Sequence, residues 1–288
     1  MQWIAVPLRA LWATRRQVHV IPTGRGPCSI VPRSSLSMAA AAAADDCHVV
    51  WLGEVGSTQD EMRSRLPLAP GVLALAVCAE NQIVGRGTRG RDWFGAPGNV
   101  FLTVALPMAR LPVPLTLVPL RVGVTVGRVV SEHLSTSEPG ATVTLKWPND
   151  ILVDRRKVAG VLIEGDGTHL LVGIGVNVAH APSVPTSGPQ CGRPATCLKE
   201  HGGDASPDAV KAIAAAIARG LASWVGAGTD SAGGLRSEWS DMVDWSEALV
   251  LRDDGAVVQP LRLEADGMLA VRVSDTGKER LLVAEYLL

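Results

Sequence analysis

The 288-residue sequence contains no Cys-x-x-Cys pair, no His-x-His or His-Glu-x-x-His pattern, and no unbroken apolar run of about 18 residues. Its five cysteines, Cys28, Cys47, Cys78, Cys191 and Cys197, give neither zinc spacing nor an even disulfide framework. That usage fits a reducing compartment, and the six scattered histidines read as surface or core residues rather than metal ligands. Without a long apolar run, no membrane-spanning helix is expected. Acidic residues are missing from the first 44 positions, which carry Arg9, Arg15, Arg16, Arg25 and Arg33; Asp45 is the first acid. That Arg- and Ser-rich leader, apolar at Trp3, Ile4, Val6, Leu8 and Leu11, has the composition of a mitochondrial or plastid transit peptide. A plain basic tail with no address has the same composition. A second start at Met38 would give a leaderless, cytosolic form. Net charge is only −1, which argues against a protein that coats nucleic acid. The leader also lacks helix-turn-helix patterning, so no DNA binding is expected.

What remains is apolar-rich, 47% against 19% charged, enough for a large domain plus a small one. Strands are predicted at about 48–53, 72–79, 99–106, 142–146, 158–164 and 170–178, with a core helix over 115–134. Ser57 with Asp60, or Thr58 with Glu61, reads as a capping pair opening a short helix. Ser206-Pro207-Asp208 starts another helix running to about residue 225, and a further one ends near 242. Residues 179–203, rich in Pro, Gly and Ser, read as a surface loop. From Glu247 onward, short strands alternate with Asp254-Gly255, Asp266-Gly267 and Thr276-Gly277 turns, a small all-β unit.

Two polar segments carry the chemistry. Gly85, Gly87 and Gly90 satisfy G-x-G-x-x-G, but Asp92-Trp93-Phe94-Gly95 follows instead of a helix, which rejects the dinucleotide-binding fingerprint. The segment also lacks the Lys-Ser/Thr ending of a P-loop. A loop remains that brings Arg86, Arg89 and Arg91 toward an anion, since guanidinium groups hold phosphate oxygens in pairs and glycines let backbone approach. In the second segment, Lys146-Trp147-Pro148-Asn149-Asp150 ends a strand, and Asp150 could hold Mg²⁺ or a ribose hydroxyl. Lys157 follows at the mouth of an apolar strand, where partial desolvation strengthens its grip on an anion. Each feature alone has an ordinary alternative: a solvated basic loop, an Asn-Asp turn, a snorkelling lysine.

Their order is more specific. GRGTRGRDW, KWPND, RKVAGVLIE and GIGVNV occur in succession, with Ser57-Thr58, the AENQ before the glycine loop, PATCL at 194–198 and the C-terminal β segment. Over roughly residues 50–288 this resembles the biotin protein ligases, or holocarboxylase synthetases. The resemblance implies an α+β fold of the biotin–lipoate ligase, class II synthetase-like kind: a mixed sheet with helices packed on it, then a small SH3-like barrel. The division would be leader 1–45, catalytic domain 46–244 and β domain 245–288. It implies ATP- and Mg²⁺-dependent adenylation of biotin, then biotin transfer to a lysine of a carboxylase's biotin carboxyl carrier domain, by a monomer or a homodimer. By motif, Lys157, Arg86 and Asp150 would be catalytic, Asp150 through Mg-ATP. Ser57, Thr58, Gln59, Gln82, Gly85, Arg86, Gly87, Thr88 and Lys157 would hold biotin. Arg86, Arg89, Arg91, Trp93, Lys146, Asn149 and Asn177 would line the nucleotide. Two positions depart from the family pattern: Gln59 stands for the usual Asn, and Thr88 for an arginine that helps retain the adenylate, so faster adenylate escape is expected. A related lipoate ligase or octanoyltransferase would share the fold but is not expected to carry KWPND. A non-enzymatic biotin- or nucleotide-binding regulator is the other alternative.

Overall fold

The computed structural model describes residues 47–68, 74–135, 140–185, 192–251 and 254–284; the leader, Met38 and Cys191 lie outside them. The main sheet has seven strands, in chain order β1 (Cys47–Val55), β2 (Ala74–Gln82), β3 (Val100–Pro107), β4 (Val143–Lys146), β5 (Asp150–Val153), β6 (Arg156–Gly165) and β7 (His169–Val176). Their spatial order is β1-β2-β3-β7-β6-β5-β4. The β1–β2 pair is parallel and every other pair antiparallel, so the sheet is mixed. Helix α1 (Thr58–Arg65) lies on one face; α2 (Val118–Ser135), α3 (Pro207–Ala227) and α4 (Ala232–Asp241) belong to the core on the other. Four further strands, β8 (Leu249–Val250), β9 (Val257–Leu263), β10 (Leu269–Val273) and β11 (Glu279–Leu282), form an antiparallel meander. This is the α+β plan the resemblance implied, with the small C-terminal β unit.

Period-two alternation assigns the strand residues to faces. Val104, Val172, Ile174, Val161 and Ile163 point into the main core beneath α2 and α3. The opposite face carries two rows that run across the strands. One is Leu52, Ala79, Phe101, Gly175, Gly160, Asp150 and Lys146; the next is Val50, Val77, Thr103, Gly173 and Leu162. Helix α1 covers this face through the fully buried Met62, packed with Leu75, Val77, Ala105 and Leu171. Burying such a side chain contributes about 2 kcal/mol. The face is thus apolar under α1, and beside α1 its glycines leave room over β6 and β7.

Two sequence expectations are corrected, and one strand is added to them. Ser57 does stand at the N-cap of α1, with extended backbone, but its side chain makes no capping hydrogen bond. The core helix begins at Val118 rather than 115, because Pro119 fits only a first turn; residues 115–117 form a separate 3₁₀ turn. Lys146–Asp150 does follow the end of a strand, β4, and it forms the hairpin turn into β5, a strand that was not foreseen, with Lys146 and Asp150 paired and the Trp147–Pro148 peptide cis. Helix α3 is long and apolar enough, by length and composition, to span a bilayer. Here Ile213, Ala214, Ile217, Ala218 and Leu221 of α3 are buried in the main core.

Candidate active site

Lys157 owes its direction to a break in register. Ile151 pairs with Ala159 but Leu152 pairs with Lys157, so Val158 is an extra residue in β6. A bulge of this kind re-aims the neighbouring side chain. Simple alternation would put Lys157 on the core face with Ala159. The bulge instead delivers its ammonium to the opposite face, where Nζ lies 2.5 Å from Asp150 Oδ1. Lys146 Nζ stands 3.8 Å from Asp150 Oδ2. Burial pushes the Asp150 carboxyl up, but the ammonium groups of Lys157 and Lys146 outweigh it and hold the carboxyl below its ordinary value. Burial lowers Lys146, opposed by the Asp150 carboxylate. Two cations on one carboxylate leave a net positive charge facing the open side of the sheet.

That open side is made by glycine. Gly160 and Gly175 are paired across β6 and β7, and the Trp93 indole lies against both: a Cβ at Gly175 would fall 2.3 Å from the ring, and one at Gly160 would fall 2.9 Å from it and 3.1 Å from Lys157 Nζ. Lys157 Nζ is 5.4 Å from the Trp93 ring centroid, within cation–π range. Trp93 reaches this position because the glycine loop closes on itself: Gly87 N–H donates to Arg91 O at 2.6 Å and Trp93 N–H to Gly85 O at 2.9 Å. Gly85 and Gly95 tolerate no Cβ, which would meet Trp93 O at 2.5 Å and Gln82 O at 1.8 Å respectively.

A second, buried polar cluster lies where α1 meets β2 and β3. Thr58 donates from both N–H (2.8 Å) and Oγ1 (3.1 Å) to Gln82 Oε1, and Thr103 Oγ1 donates to Thr58 Oγ1 at 2.9 Å. Ser57 and Gln59 are buried beside it. Gln59 Nε2 donates to the carbonyls of Leu162 and Leu171, 3.2 Å each, across the β6–β7 seam. Gly173 makes that possible, since a Cβ there would be 2.9 Å from Nε2. The extra methylene of Gln over the family's Asn supplies reach toward the seam. Gln59 Oε1 is buried without a partner among the described residues, an acceptor that a ligand N–H would satisfy.

Other expected residues sit differently. The Arg86 guanidinium forks onto Asp60 (2.9 and 2.8 Å), not toward Lys157. Asp60 also accepts from Arg63, which reaches Glu164 at 2.6 Å, so a charge chain ties the loop to α1 and β6. The Arg86 hydrogen bond holds the Asp60 carboxyl below its ordinary value. Arg91 folds back onto Thr88, and Arg89 lies in the 3₁₀ turn Thr88–Gly90. Asn149 Nδ2 donates to Val161 O and Asn177 Nδ2 to Thr196 O. Both amides therefore fix backbone around the site. Among the described residues no three His, Cys, Asp or Glu side chains converge on a metal position. Thr103 escaped the sequence reading, although it is the one hydrophilic residue in the strand Val100–Pro107, and Asp60 was read only as a capping partner of Ser57.

The family model for the biotin/lipoate A/B protein ligase family matches residues 55–178. Biotin protein ligase from Leishmania major, solved in complex with biotinyl-5-AMP, is 32% identical, with a TM-score of 0.60, covering 82% of this chain and 98% of that one. The chain belongs to the biotin protein ligase family. A point mutant of the Aquifex aeolicus biotin protein ligase, solved in complex with biotin, is 26% identical with a TM-score of 0.64, covering 82% and 96% of the two chains. The biotin--[acetyl-CoA-carboxylase] ligase of Paracoccus denitrificans is 35% identical over 150 residues, 50% of this chain and 61% of that protein. The enzyme of that description from Mycobacterium tuberculosis is 32% identical over 133 residues, 46% and 49% of the two. The match thus spans about half to three fifths of these curated relatives, and the residues matched by the family model, 55–178, include Lys146, Asp150 and Lys157.

Proposed function

We propose that this biotin protein ligase family member adenylates biotin with ATP and then transfers the biotinyl group to a lysine of a biotin carboxyl carrier domain. The observation that carries the reading is the Lys157–Asp150–Lys146 group turned onto a side-chain-free glycine floor. In the first step a biotin carboxylate oxygen attacks the α-phosphorus, the α–β phosphoanhydride bond breaks, and pyrophosphate leaves. In the second, the carrier lysine amine attacks the acyl carbon, AMP leaves, and the amine loses a proton. Bringing carboxylate and phosphate to about 4 Å costs about 4 kcal/mol at an effective dielectric near 20. Lys157, swinging from Asp150 to the reacting oxygens, offsets that repulsion and stabilises the charge that develops.

The Ser57, Thr58, Gln59 and Gln82 cluster offers buried acceptors and hydroxyls suited to a ureido group, and Phe101, Gly175 and Gly160 give the flat apolar ground for the bicyclic ring. Trp93 leaves or slides along that ground to admit the ligand and then covers it from water. Arg86 must exchange Asp60 for an anion to act on substrate. Magnesium has one candidate protein ligand, Asp150, whose Oδ2 is 3.8 Å from Lys146. That fits an ion carried mainly by nucleotide phosphates, whose charge it would neutralise. Biotin-dependent ATP–pyrophosphate exchange tests the reading. The wild-type chain is expected to exchange with biotin and not with lipoate, and Lys157→Ala to lose on the order of a hundredfold or more. Biotin binding without exchange would move the protein to a binding role.

A further inference from the structure

The backbone of Lys157 is held from outside the main sheet. Its N–H donates to Pro194 O at 2.8 Å and its carbonyl accepts from Thr196 N–H at 2.9 Å, so a strap at residues 194–196 runs beside it in parallel pairing. The bulge leaves this stretch outside the β6–β7 ladder, where Asn177 N–H takes the Val158 carbonyl instead. On the other side, the turn before Lys157 places two non-glycine residues, Asp154 (φ 47°) and Arg155 (φ 61°), in left-handed conformations. Such residues hold only when their surroundings over-determine them.

One side chain joins the strap to the turn. His201 Nε2 lies 2.9 Å from Thr196 Oγ1, and its Nδ1 lies 3.3 Å from Asp154 Oδ2. Arg156 reaches both His201 Nε2 (3.3 Å) and Glu200 (2.9 Å), and Glu200 also accepts from Thr196 Oγ1 at 2.9 Å. The His201 side chain is 8% exposed and Thr196 is fully buried, so their contact is shielded from water, whereas Asp154 meets the histidine from the solvent side. Asp154 is fixed further by accepting from Thr142 N–H at 3.0 Å.

We propose that His201 is a positioning residue for Lys157. By tying Thr196 of the strap to Asp154 of the turn, it fixes the backbone on both sides of the lysine and so aims the ammonium that the bulge exposes. This rests on the adenylation reading for its kinetic consequence but not for its structural one. The histidine touches no reacting atom and acts only through Thr196 and Asp154.

The test uses the full chain as wild type, His201→Ala and His201→Gln. Glutamine can place an amide where Nε2 meets Thr196. In His201→Ala, kcat for biotin-dependent pyrophosphate exchange is expected to fall about tenfold while KM for biotin changes less than about twofold, the pattern of a misaimed catalytic group. His201→Gln is expected to recover most of that loss. Hydrogen–deuterium exchange of the peptide spanning 153–162 is read in parallel, with faster exchange expected in the Ala variant and near wild-type protection in the Gln variant. Wild-type protection of that peptide in His201→Ala overturns the proposal. So does a loss that Gln fails to recover, or one that appears as KM. A wild-type chain that shows no exchange would fail the adenylation reading alone, and the deuterium readout would still decide whether His201 clamps this segment.

Discussion

Asp150 sits between two lysines, and its stability contribution has a defined pH signature. A carboxyl held below its ordinary value stabilises fully above the unfolded-chain value, about 3.9, and loses that contribution as pH falls through the folded value. Asp150→Asn is therefore expected to lose about 2 kcal/mol at neutral pH, because Lys157 and Lys146 are left facing each other without a counter-charge. The deficit against wild type should stay flat down to about pH 5 and close below about pH 4. Urea unfolding of both proteins across that range checks it, and a deficit that grows on acidification would show that the pair is not ionised as described. The identity of Lys157 and Asp150 was legible because KWPND and RKVAG are unusual strings in an apolar chain. The aim of Lys157 was not: period-two alternation assigns it to the core face, and only the pairing of Leu152 with Lys157 and Ile151 with Ala159 reveals the extra residue at Val158. The glycines of the GIGVNV string were visible, but their use as ground for Trp93 depends on Gly160 and Gly175 facing each other across two strands.

At the scale of elements, two serines head two helices and do different things. Ser206 heads α3 with its Oγ accepting from Ala209 N–H at 3.3 Å, and Pro207 opens the first turn. Ser57 heads α1 with no capping bond and is buried against the Thr58–Gln82 cluster instead. Ser206→Ala is thus expected to cost about 1 kcal/mol, or roughly 2–4 °C of melting temperature, with biotin affinity unchanged. Ser57→Ala forfeits no capping bond, so it should cost less stability than Ser206→Ala and weaken biotin binding on calorimetric titration. The opposite pairing of effects would return Ser57 to a purely helical role. Both serines carry the same local signal, Ser ahead of an acidic first turn, so the sequence could not separate them; the difference arises from Thr58 and Gln82, 24 residues apart, meeting over β3. Strand β5 was missed for a related reason. Its four residues directly follow the turn at Pro148, and so short a run is recognisable only through its partners β4 and β6.

Across the whole molecule, the two sheets meet through the same hairpin that supplies Lys146 and Asp150. Trp147 packs against both the main core and the cluster of Val258, Leu269, Val271 and Val273, and its Nε1 donates to Gly267 O at 3.1 Å. Gly267, at φ 88°, turns β9 into β10 so close to the main body that a Cβ would lie 2.9 Å from Thr116 O. Arg193–Glu247 and Arg155–Asp244 pairs join the strap and the β5–β6 turn to the segment leading into β8. Detaching the small sheet would expose apolar surface on both sides of Trp147, so the two sheets should melt together, with calorimetric and van't Hoff enthalpies that agree. Trp147→Ala removes one of the two tryptophans that pack on both clusters, Trp245 being the other, at a cost of about 3–5 kcal/mol. The small sheet, with only one modest core of its own, is expected to lose structure first and split the heat-capacity peak in two. A single peak displaced to lower temperature in the variant would mean that Trp245, Leu263 and the charged pairs at Glu247 and Asp244 suffice to keep the sheets cooperative. Two peaks already present in the wild type would mean that the hairpin carrying Lys146 and Asp150 is not braced from the C-terminal side.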